Sequence, residues 1–177
     1  MTSRRILLVS AALLFLSSYQ AIAQAQESVR VYESLFREFG QPNGPYVVLE
    51  TPINPNDVLS TEREAILKIY RFPTKLVPHL KKDFGAASVH LLSDTEYVKM
   101  FSDTSGCGTG WGTFHEHFPE AKVLIELSPV AFRANDREAL VVMKGSSGCL
   151  GGSVDLLVFA RSGSSWKFKE ATNVSRS

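Results

Sequence analysis

The sequence predicts an α+β domain whose N-terminal helices pack on a four- to five-stranded, mainly antiparallel sheet. Three observations predict it. Helical periodicity dominates the first half of the chain beyond residue 25, short β-type runs dominate the second half, and those runs are joined by connections too short for crossovers. Segregated helices and strands argue against an alternating parallel fold.

Val29, Tyr32, Leu35, Phe36 and Phe39 recur on one helical face, Gly40 stops that helix, and Pro42 bars its return. Tyr46-Val47-Val48-Leu49 reads as a short strand ended by Pro52 and Pro55. Thr61 and Glu64 make a capping box for a helix to about Tyr70. Pro78 starts a short helix that carries Leu80 and Phe84 inward before Gly85. Val89-His90-Leu91-Leu92 is a second strand, and Ser93 with Glu96 caps a helix through Met100 and Phe101.

A Gly-rich loop, Ser105 to Gly110, precedes a short helix from Trp111 to Phe118, closed by Pro119. Strands then follow one another: Val123 to Leu127, kinked at Pro129 into Val130-Ala131-Phe132; Ala139 to Met143 after a turn at Asn135-Asp136; Val154 to Ala160 after the loop Gly145 to Gly152; and Trp166 to Lys169 after the turn Ser162-Gly163-Ser164. This is the order of an antiparallel meander, with the helices on one side and part of its middle covered on the other.

The first twenty-five residues read as a leader, not as part of the fold. Arg4 and Arg5 are followed by the apolar run Ile6 to Leu16, and Ala21-Ile22-Ala23 and Ala23-Gln24-Ala25 offer cleavage after Ala23 or Ala25. One domain, residues 26–177, is then the mature protein, in the periplasm or secreted. The ordinary secretory route fits the short start best; the adjacent arginines also suit a twin-arginine signal. No cysteine follows the apolar run, which excludes lipid attachment there. These features are bacterial in style, so Asn173-Val174-Ser175 carries little weight as a glycosylation sequon.

The full chain holds 19 Lys+Arg and 18 Asp+Glu, so removal of Arg4 and Arg5 leaves 17 against 18, a formal charge of −1. That balance gives no electrostatic case for nucleic acid, and no later apolar run reaches membrane-spanning length. A domain of this size buries roughly two-thirds of its unfolded surface and needs no metal to fold. The expected partner is an unidentified protein or small ligand, with no cofactor.

Trp111-Gly112-Thr113-Phe114, Phe118-Pro119 and Ile125 to Phe132 form a pattern with Glu138 to Val142, Gly148 to Gly152, Leu156 to Phe159 and Gly163-Ser164-Ser165-Trp166-Lys167. The block from Trp111 to Glu170 resembles a family of small exported bacterial domains without an assigned reaction. The resemblance implies a fold and supplies no catalytic residues. Members of that family often pair two cysteines within the Gly-rich turn, whereas this chain has only Cys149 there.

Cys107 and Cys149 lie forty-two positions apart in two Gly-rich loops. In an oxidising compartment the expectation is one disulfide, a stabilisation of about 4 kcal/mol by loop entropy. The competing reading makes Cys107 a nucleophile, because Gly106-Cys107-Gly108 resembles the glycine-flanked cysteine of thiol proteases, with His115 or His117 as its base. His115-Glu116-His117 is the one local cluster of metal-type ligands. Two positions apart on a helix they diverge, and His79 and His90 are distant in sequence, so no metal is expected. The glycine runs lack the Lys-Ser/Thr ending of a phosphate loop, and the loop serines Ser105, Ser146 and Ser147 lack a nucleophile elbow. Trp111 and Trp166 fill the core or, where exposed beside the glycine loops, mark a binding surface with His115 and His117.

The reading with most support is a non-enzymatic exported domain that binds a ligand or protein. The alternatives are a thiol- or metal-assisted hydrolase using Cys107 with His115 or His117, and a purely structural envelope protein.

Overall fold

A computed structural model of the chain describes residues 22–38, 45–59, 64, 68–73, 83–84, 87–102 and 108–176. The architecture is α+β, but its sheet is larger and more mixed than the sequence predicts. Nine strands stand among the described residues: β1 (Tyr46–Leu49), β2 (Tyr70–Arg71), β3 (Asp83–Phe84), β4 (Ala87–Leu92), β5 (Leu124–Leu127), β6 (Ala131–Arg133), β7 (Glu138–Ser146), β8 (Gly152–Ser162) and β9 (Ser165–Arg176). The described helical segments are α1 (22–38), α2 (Pro55–Val58), α3 (Asp94–Phe101) and α4 (Thr109–His117).

The expectation of four to five mainly antiparallel strands fails because β1 is parallel to both of its neighbours, β4 and β5. The path from β4 through α3 and α4 to β5 is a crossover that passes over β1, the connection parallel pairing requires. Every residue of β1 is buried. Its alternate side chains enter two cores, Tyr46 and Val48 with α1 on one face, Val47 and Leu49 with α3 and α4 on the other. Helices therefore cover both faces, not one.

β7 is the hub. Its whole length pairs with β8, while its other edge pairs first with β6 and then with β5. Those two strands lie end to end, interrupted at Ser128-Pro129, and the sheet forks there: β2 continues from β6, and β1, β4 and β3 continue from β5. Proline has no N–H for the ladder, and the Ser128 hydroxyl repairs the gap. It accepts from the Val142 N–H at 2.9 Å and donates to the Pro129 carbonyl at 2.9 Å, and the Ser128 N–H donates to the Val142 carbonyl at 2.8 Å.

Two residues expected in helices lie in strands instead. Tyr70, placed at a helix end, lies in β2 opposite Arg133; only Glu64 of that helix is described, and Thr61 lies outside the described residues. Phe84, expected on the helix after Pro78, lies in β3 opposite Ala87, while residues 74–82 fall outside the described residues. A two-residue strand carries too little pattern to be told from a frayed helix end. By contrast, Ser93 and Glu96 form the expected capping box on α3.

α1 buries Val31, Tyr32, Leu35 and Phe36 against the sheet, with Val29 half-buried at the margin. Polar links fix it. The Tyr32 hydroxyl donates to the Ser128 carbonyl, the Ser34 hydroxyl to the Trp166 carbonyl, and the Trp166 indole N–H to Glu27, each at 2.9 Å. Burial pushes the Tyr32 phenol far above its ordinary range, against the opposing effect of the Val130 backbone N–H. The segment around α2 covers the remaining face of β7 and β8, where Ile53, Val58, Leu59 and Phe72 pack on Leu140, Val142 and Leu156. The β8–β9 turn has Gly163 at φ 63, as a two-residue hairpin turn with glycine in its first central position requires.

Candidate functional site

Three of the residues singled out by sequence, Trp111, His115 and His117, lie on one helix, α4. Its inward side is fixed by Phe114, fully buried, and by Gly110, where an added side-chain carbon would lie 2.5 Å from the Phe101 ring and 3.2 Å from the Met100 carbonyl. Glycine there lets the first turn of α4 press against the end of α3. Outward, Gly108 and Gly112 are exposed and border open space, with nothing within 4 Å of an added carbon.

Between these two sides sits Trp111, half-buried. Its ring meets Phe101 edge-on at 5.4 Å and Phe114 edge-on at 5.2 Å. Phe101 meets Tyr97 of α3 at 4.9 Å. Tyr97, Phe101 and Trp111 each keep part of their surface in solvent, and Val98 of the same helix as Tyr97 and Phe101 is 59% exposed. The exposed His115 ring lies 6.0 Å from Trp111 and 5.4 Å from Phe114. The result is a terrace of aromatic edges and faces rimmed by an imidazole and bare helix backbone. Such a surface can stack on planar or apolar groups and exchange a hydrogen bond at the rim.

His117 points elsewhere. Its Nδ1 is 2.9 Å from the Thr113 carbonyl oxygen, which can only accept, so Nδ1 is the donor in that hydrogen bond. His115 and His117 thus diverge, as their helical spacing dictates. His90 packs on Phe118 at 4.8 Å, and His79 lies outside the described residues. Among the described residues no three His, Cys, Asp or Glu side chains gather as a metal site.

Cys107 lies outside the described residues, so neither its pairing nor its approach to His115 is part of this geometry. Cys149 is in the exposed loop between β7 and β8, closed by a Ser147 N–H bond to the Gly151 carbonyl, and no described cysteine is free. Trp166 is core: 3% exposed, with Arg161 stacked 5.7 Å over its ring and Glu27 on its indole nitrogen.

Tyr97 and Phe101 of α3 join this cluster, although the sequence reading gave them no part in a site. Their spacing of four shows only that they share a helix face; their partial exposure is not written in the sequence. No protein family, curated protein or solved structure matches this chain. The likeness of Trp111–Glu170 to exported bacterial domains therefore rests on its residue pattern alone. No described helix is long and apolar enough to cross a membrane.

Proposed function

We propose that this protein is an exported bacterial domain that binds a protein or small ligand through the Tyr97–Phe101–Trp111 terrace, with His115 at its rim. The observation that carries the reading is the partial exposure of Trp111 among other aromatic rings beside open helix backbone. Trp166, by contrast, is covered. In this reading residues 1–25 direct export to the periplasm or beyond, and Cys107 and Cys149, the two cysteines of the chain, pair once there. His115 orients a ligand; no cofactor takes part.

The two tryptophans make the test direct. Trp166 is shielded, so a quencher reports Trp111. In a screen of peptides and glycans against the oxidised protein, a ligand is expected to protect Trp111 from acrylamide quenching. The Trp111→Ala variant is expected to lose affinity about tenfold or more, about 1.4 kcal/mol. Binding that leaves Trp111 quenching unchanged overturns the assignment. So does a hydrolytic activity that titrates with a free, alkylatable Cys107 and disappears in His115→Ala, which would establish the thiol enzyme instead.

A further inference from the structure

Resting on the export reading above, we infer that the leader is cut after Ala23 and that Gln24, the new first residue, closes to pyroglutamate. Two sites satisfy the cleavage pattern, after Ala23 and after Ala25, and both would leave a glutamine first, Gln24 or Gln26. The fold distinguishes them. Ser28 is 2% exposed, and its hydroxyl donates to the Gln24 carbonyl at 2.9 Å. A cut after Ala25 removes that acceptor and leaves a buried hydroxyl without it. A cut after Ala23 keeps it.

Burial divides the chain at the same place. Ile22 is 60% exposed, and Ala23 and Gln24 are exposed too, so none of the described side chains before Ala25 is buried in the domain. From Ala25 onward the helix is engaged: Ala25 and Glu27 are half-buried and Ser28 is buried. Glu27 accepts from Arg30 at 2.9 Å and the Trp166 indole at 2.9 Å, and lies 3.2 Å from Arg161. The structural requirement thus begins at the backbone carbonyl of Gln24.

A new α-ammonium at this point sits on the N-terminus of α1, where the aligned peptide dipoles oppose positive charge. Cyclisation removes it. The neutral α-amine attacks the side-chain amide carbon Cδ, an N–Cδ bond forms, and the Cδ–N bond breaks with ammonia as leaving group. No oxidant or reductant is involved. The ring uses only the α-nitrogen and the exposed side chain, so the Gln24 carbonyl still serves Ser28. The α-nitrogen of a first helical residue has no intrahelical bond to lose.

The test is intact-mass analysis and amino-terminal sequencing of the full chain, expressed in an exporting bacterium and recovered from its periplasm. The expected product begins at Gln24, lacks the mass of one ammonia, resists Edman degradation, and becomes readable after pyroglutamyl aminopeptidase. A Gln24→Glu chain, which cyclises far more slowly, should be readable without that enzyme. A product beginning at Gln26, or at Gln24 with a free amine, overturns this inference and leaves export intact. An uncut chain retained in the cytoplasm overturns export itself.

Discussion

The three parallel strands and the terminal hairpin meet opposite fates. β1 is shielded on both faces, by α1 above and by α3 and α4 below. β9 pairs only with β8, and from Lys169 to Ser175 it is exposed apart from a half-buried Val174. What differs is coverage. Parallel strands come with crossover helices that close their faces, whereas a hairpin returns on itself and brings no cover. The comparison predicts unequal sensitivity. Phe114→Ala, which empties the centre of the helical layer, should cost about 3–5 kcal/mol in urea unfolding, and Val174→Ala in β9 under about 1 kcal/mol. Equal losses would mean that the outer end of β9 is covered as fully as the helical layer is.

The junction between the two regions is Ser128, and it supplies the next largest effect. The hydroxyl is fully buried and holds the Val142 N–H that the broken strand leaves open. Ser128→Ala strands that N–H and should cost about 1–3 kcal/mol. Hydrogen exchange sharpens the point, because the Val142 amide should lose protection in the variant while the outer amides of β9 stay unchanged. If Val142 remains as protected as before, water or a shifted backbone replaces the hydroxyl.

This junction also shows how far the sequence could be read. The kink at Pro129 was legible, because a proline lacks the ladder donor. That the two halves of the kinked strand would line one edge of β7 and fork the sheet was not, because pairing is decided by residues distant in sequence. The parallel unit left a sign that short connections outweighed: Tyr46 to Leu49 is apolar at every position, as a strand buried on both faces should be. β2 and β3 are too short to show any period. On α4, the divergence of His115 and His117 was legible from their helical spacing. The part played by Tyr97 and Phe101 was not, since exposure of an aromatic depends on which neighbours are missing.

The smallest expected effect tests the hairpin through its charges. Glu138 of β7 accepts from Lys169 of β9 at 2.7 Å and from Arg133 of β6 at 2.8 Å. The Lys169 bond first, and then the Arg133 bond, hold its carboxyl below the usual glutamate value. A depressed carboxyl stabilises the fold fully above the unfolded glutamate pKa, about 4.3, and loses that contribution as pH falls through its own lower value. The melting temperature of the wild type should therefore exceed that of Glu138→Gln at neutral pH, by a margin that closes as acid protonates Glu138. Salt should narrow the same margin, because both cations are half-exposed. A margin indifferent to both pH and salt would show that Glu138 acts through packing, and that the hairpin is held to β7 by its ladder and apolar face alone.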